Sequence, residues 1–180
     1  MMSMSSNHDL VYEMIIGQYG KNLQALRGIL AKTKEFAEQR KFDVNLFLDM
    51  KLAPDMFALI RQIQMVTDNA KGAASRLSGK EMPKFEDTEK TWGELEARLD
   101  RTLNYLHSFK KNDFEQFESK KVSFPWYPGK ELSGKDYFLS FALPNFYFHL
   151  TTVYAILRSA GVPIGKESFL GELNWKNTIS

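Results

Sequence analysis

The stretch from Asp136 to Gly165, DYFLSFALPNFYFHLTTVYAILRSAGVPIG, constrains the fold most, because it is the most apolar part of the chain and holds polar side chains at its middle. Ser133 and Asp136 stand three apart at its opening, the spacing of a capping box, which predicts that a helix opens there. Phe138, Phe141, Phe148, Val153, Ile156 and Leu157 then supply apolar surface on almost every side, which predicts a helix buried among several others. Asn145, His149 and Thr152 interrupt that surface at spacings of four and three and so share one side as a short polar stripe. An unpaired buried amide or imidazole costs about 1–3 kcal/mol, so either neighbouring helices satisfy the stripe or it lines a pocket. Pro144 removes one backbone donor, predicting a kink beside Asn145 and a free Ser140 carbonyl; the kink either opens a pocket or only fits the helix to its neighbours.

Three more long helices are expected before this one. Ser6 to Asp9 predicts a cap for the first, which carries Leu10, Met14, Ile15, Leu23, Leu26, Ile29, Leu30 and Phe36 and is made bendable by Gly17 and Gly20. Asp43 to Met50 reads as a short helical turn, and Pro54 suits the first position of the second helix. There Met56, Leu59, Ile60, Ile63, Val66, Ala70, Ala73, Ala74 and Leu77 follow helical spacing, ending at Gly79 and Pro83. Asp87 or Thr88 is the expected cap of the third helix, which runs through Trp92, Leu95, Leu99, Leu103 and Leu106. Its charged residues, from Glu89 and Lys90 through Glu94, Glu96, Arg98, Asp100 and Arg101, read as a solvated face. Between Lys120 and Leu132, alternating Val122, Phe124 and Trp126 followed by Pro128-Gly129 predict a small hairpin or ordered loop over one end of a bundle. Phe169, Leu173 and Trp175 predict a docked tail. The fold expected is all-α, an up and down four-helix bundle forming one domain over residues 1–180, with sites built from side chains on facing helices.

Composition narrows the function classes. Basic and acidic residues nearly balance, 24 against 22, which gives no electrostatic argument for nucleic acid or an acidic membrane surface. The absence of cysteine excludes disulfides, thiolate metal sites and cysteine nucleophiles, and fits a reducing cytoplasm. No secretory signal is visible at the start. Tyr137 to Leu157 is long enough to span a bilayer, but its proline and polar centre argue against it. A glycine-rich phosphate loop, a Gly-x-Ser-x-Gly elbow and a His-Glu-x-x-His motif are all lacking.

Pro54-Asp-Met-Phe-Ala-Leu-Ile-Arg-Gln-Ile-Gln64, then Asp68, Ala70-Lys71, Phe85-Glu-Asp-Thr88, Phe141-Ala-Leu-Pro-Asn-Phe-Tyr-Phe-His149 and Ala155-Ile-Leu-Arg158 resemble a family of unknown function in the DinB/YfiT-like superfamily. The resemblance covers nearly the whole chain. It implies a four-helix bundle, often a homodimer, with a central site where classical members hold a divalent metal through three histidines; some of those members are thiol-dependent transferases. Classical members have two histidines four apart in the last helix, with Leu-Arg about eight residues beyond the second. Leu157-Arg158 places that second position on His149, the first on Asn145, and the remaining one near Gln62 or Gln64. Amides are weak ligands for zinc or nickel, so the resemblance does not carry over a three-histidine centre.

The expected site therefore comprises His149, Asn145, Gln62, Gln64 and Asp68, with His149 as the candidate metal ligand. Arg61, Gln64 and Asp68 share one side of the second helix, opposite its apolar stripe, where surface ion pairing is the competing explanation. Three functions follow as expectations. The leading one is binding of a small molecule, or of a weakly held divalent metal (Zn or Ni), in a central pocket. The second is a metal- and thiol-dependent transferase, and the third is a structural or interaction protein whose polar stripe serves only packing. A nucleic-acid or membrane partner is not expected.

Overall fold

Four long helices share one hydrophobic core in the computed structural model, which describes residues 7–176; Ser6, at the start of the expected first cap, lies outside them. Asn7–Tyr12, Glu13–Gln18 and Tyr19–Gln39 run on as the first helix, α1, and the middle segment, which includes Gly17, is π-helical. Ile15, Leu23, Leu26 and Leu30 form its buried face, whereas Leu10 at its start is exposed. A short 3₁₀ turn at Val44–Phe47 follows, as the sequence predicts.

The second helix, α2, is Leu59–Ser78 and does not begin at Pro54. Its first-turn donors are taken by the preceding loop: Leu59 N–H donates to the Met50 carbonyl at 2.8 Å and Ile60 N–H to the Leu48 carbonyl at 3.0 Å. That tie sets the start, because orphan N–H groups must find acceptors and the 48–50 turn supplies them. Ala70, Ala73 and Ala74 are fully buried, and their small side chains let neighbouring helices approach closely. Gly79 ends the helix in the left-handed conformation (φ 80°), its N–H donating to Ser75 O.

Thr91, not Asp87 or Thr88, caps the third helix, α3, Trp92–His107. Thr91 Oγ1 accepts from Glu94 N–H at 3.3 Å while the Glu94 carboxylate accepts from Thr91 N–H at 2.9 Å, a reciprocal box. The Lys90 N–H, donating to the same carboxylate at 2.7 Å, and then Thr91 hold the Glu94 carboxyl below its usual range. Asp87 is drawn instead into ion pairs with Arg61 and Arg98.

The expected hairpin is present: β1, Lys121–Ser123, pairs antiparallel with β2, Glu131–Ser133, with Val122 opposite Leu132. Ser133 then caps the last long helix, α4, made of Gly134–Asp136, Tyr137–Ala142 and Leu143–Ser159. Its hydroxyl accepts from Asp136 N–H and donates to the Asp136 carboxylate at 2.7 Å, so the carboxylate closes on the hydroxyl. The segment Tyr137–Ala142 is π-helical, with Leu143 N–H reaching back to Phe138 O, and Pro144 follows in the first turn of the α-helical part. The widened turn is how this helix accommodates the proline. Burial is not all-round, since Leu139 and Phe148 are exposed. A short helix, α5, Lys166–Leu170, packs on α1, and Phe169 meets Tyr154 edge-on at 5.9 Å. Leu173 and Trp175 are both exposed, so of the three tail residues expected to dock only Phe169 packs on the bundle. Among the described residues no helix is long and apolar enough to cross a membrane.

Candidate functional site

The seam between α2 and α4 gathers the polar side chains that both helices would otherwise bury unpaired. His149 Nδ1 lies 2.7 Å from Gln62 Oε1. Gln62 Nε2 donates to the Phe57 carbonyl at 3.3 Å, which fixes the amide so that its oxygen faces the ring; Nδ1 therefore carries the proton and Nε2 keeps its lone pair. One turn further along, Asn145 Nδ2 donates to Asn69 Oδ1 at 2.7 Å, and Asn69 Nδ2 donates to Met65 O at 2.8 Å. Thr152, the last member of the stripe, donates to the Phe148 carbonyl within its own helix.

Burial, with the nearby Arg61 guanidinium, holds the His149 imidazole below its ordinary value of 6.5, so it is neutral at pH 7. Its linkage sign follows: in the unfolded chain the ring protonates at higher pH than in the folded one. The stability it contributes is full above pH 6.5 and is lost as pH falls through 6.5 toward the lower folded midpoint. Urea unfolding of wild type and His149→Gln at pH 8 and pH 5 checks this. Wild type is expected to lose more stability on acidification than the variant, and equal losses would contradict it.

Asn69 and Asn145 line a pocket of about 440 Å³ between α2, α4, the hairpin and the 79–91 loop, within the range of roughly 300–1,000 Å³ usual for small-molecule sites. Phe124, Trp126 and Phe141 form one wall, with Trp126 stacked on Phe124 at 4.8 Å between centroids. Phe85, from the 79–91 loop, faces them, with Lys71 Nζ 4.3 Å from its ring centre. Asp68 also lines the pocket and pairs with Lys71 at 3.1 Å.

Asp68 and Gln64 belong at the same time to a second cluster, centred on Arg98. This guanidinium is fully buried, not part of a solvated face. It donates to Thr67 Oγ1 at 2.7 Å, to Asp68 at 2.8 Å, and to both oxygens of the buried Glu89 carboxylate at 3.1 Å. Gln64 Nε2 donates to Glu89 at 2.9 Å, turning its amide away from His149. Of the expected site residues, Gln62, Asn145 and His149 thus line up along the seam, Asp68 links pocket and Arg98 cluster, and Gln64 lies in that cluster alone. Arg98 was legible in principle, since spacings of three from Leu95 and four from Thr102 put it on the apolar side of α3.

Among the described residues no group of three or more His, Asp or Glu side chains is placed to hold a metal ion. The positions matching the classical ligands carry one imidazole, whose Nδ1 is engaged by Gln62, and two amides tied to protein partners. This donor set does not fit a three-histidine centre.

A family profile described as a domain of unknown function, DUF1993, matches residues 11–170. The crystal structure of a DinB family member protein from Shewanella denitrificans is similar at a TM-score of 0.92 and 39% identity, over 95% of this chain and 97% of that one. No curated protein matches the chain.

Proposed function

We propose, since the chain belongs to the DUF1993 family, a DinB-like family of unknown function, that it binds a small organic molecule in the pocket between α2 and α4. The observation that carries the reading is the Asn69–Asn145 amide pair set in the wall of an aromatic-lined pocket. The Asn145 amide nitrogen is used within the pair, leaving its oxygen to accept from a ligand, and Asp68 supplies a second acceptor. His149 and Gln62, a turn along the seam, hold the two helices in register beneath that pair. A divalent metal held through His149 Nε2 alone would bind weakly, and no thiol-transfer step is built on it. The reading takes the protein to act in the cytoplasm, as its lack of cysteine suits, and as a homodimer covering the exposed Leu139 and Phe148; light scattering that finds only monomer would remove the dimer.

The test is a ¹H–¹⁵N spectrum titrated with small aromatic phenols, amides and acids. Binders are expected to shift the side-chain amides of Asn69 and Asn145, and Asn145→Leu is expected to weaken them about tenfold or more, the effect of losing one well-made buried hydrogen bond. Shifts confined to other surfaces would refute the pocket.

A further inference from the structure

Arg76 is the one pocket cation whose charge is left without a carboxylate among the described residues. Arg61 pairs with Asp87, Lys71 with Asp68 at 3.1 Å and Lys84 with Glu86 at 2.7 Å. Arg76 has the Tyr137 hydroxyl and two rings beside it: it donates a hydrogen bond to the phenol oxygen, and its guanidinium carbon lies 5.2 Å from the centre of Phe124 and 5.8 Å from that of Tyr137. Burial raises the Tyr137 phenol, which stays neutral beside the cation, so no negative charge comes from that side.

The position is built into the helix. Gly72 is one turn before Arg76, and a Cβ there would lie 2.2 Å from Arg76 Nη1. Only a glycine leaves the notch into which the guanidinium folds, and from which it lines the pocket. Aromatic faces engage the π-surface of an arginine, and of its five N–H donors those not given to Tyr137 are left to receive the oxygens of a carboxylate. Beside it the stacked Phe124 and Trp126 rings, with Phe141, offer a flat apolar wall.

We infer that the ligand of this pocket is a planar organic acid, its carboxylate received by Arg76 and its flat apolar body lying against Phe124, Trp126 and Phe141. The inference rests on the pocket reading above and adds the charge and shape of what fills it.

The experiment compares 1-naphthoate with its neutral isostere 1-naphthamide at pH 7.5, read by the Asn145 side-chain amide shift and by tryptophan fluorescence. Naphthoate is expected to bind at least tenfold more tightly. Arg76→Gln is expected to erase that preference. So is Gly72→Ala, which keeps the charge but displaces the flexible guanidinium tip, with the backbone spectrum reporting an intact fold. Lys130→Gln, a charge change on the hairpin outside the pocket, is expected to leave the preference unchanged. Equal binding of the two compounds, or a preference that survives Arg76→Gln or disappears in Lys130→Gln, overturns the acid inference. In those cases naphthamide shifting Asn145 would keep the pocket reading. Neither compound shifting Asn145 in the wild type overturns both.

Discussion

Arg98→Leu is expected to lower the unfolding free energy by about 3–5 kcal/mol, the range found when one partner of a buried ion pair is removed and the other is left charged. The guanidinium is wholly buried and joins Thr67 and Asp68 of α2, Glu86 and Glu89 of the connecting loop, and its own helix. Without it the Glu89 carboxylate, only 5% exposed, keeps Gln64 and a long 3.5 Å contact with Arg101. Lysine should rescue little, because a single ammonium cannot reproduce donors directed to Thr67, Asp68 and Glu89 together. Urea unfolding at pH 7 measures the loss, and a value under about 1 kcal/mol would show that the cluster is not the clasp of the 79–91 loop. Amide exchange in that loop should accelerate even where the variant remains folded.

Gly134→Ala is expected to destabilise by about 3 kcal/mol or more, beyond the usual cost of one added methyl in a packed interior. A Cβ at Gly134 would sit 1.7 Å from the Phe117 carbonyl oxygen and 2.8 Å from its carbon, so backbone must move. The same carbonyl accepts from Lys120 N–H at 3.2 Å, immediately before β1, and the displacement would therefore pass into the hairpin that walls the pocket. A fall in Tm of roughly 6–12 °C corresponds to that loss for a domain of this size. Gly93→Ala is the matched control: nothing stands within 4 Å of its added methyl, and its Tm should hold or rise. Similar falls in both variants would mean that the close approach at Phe117 is not the cause.

Helical spacing and punctuation made the four long helices, the Gly79 stop, the Ser133 cap and the hairpin legible, because each rests on interactions within a few residues. The errors arose where distant segments compete for the same groups. Pro54 suits a helix start locally, but the 48–50 carbonyls reach the donors of Leu59 and Ile60. Asp87 suits a cap, yet Arg61 and Arg98 claim its carboxylate. Within the site, spacing identified the seam carrying His149, Asn145 and Gln62, but could not tell Gln62 from Gln64, which lie two residues apart and turn to opposite partners. The Thr91-Trp-Gly-Glu94 spacing is that of a capping box and stands in the sequence beside the two earlier polar residues, Asp87 and Thr88. The Gly72–Arg76 pair is equally local, an i, i+4 relation in plain view, although only the tertiary surroundings reveal that Arg76 has no carboxylate partner among the described residues.

The π-helical turn at Tyr137–Ala142 sets the phase between the two halves of α4. Such a turn holds about one residue more than an α-helical turn, and one residue is about 100° of rotation. The aromatic wall at Phe141 and the hairpin joined through Ser133 are thereby offset in azimuth from the amide and imidazole that follow Pro144. A single-residue deletion inside this turn would rotate the hairpin around the seam more than it would shorten the helix. In relatives of this chain, the pocket can accordingly be reshaped by loss or gain of one residue here, with every lining side chain kept.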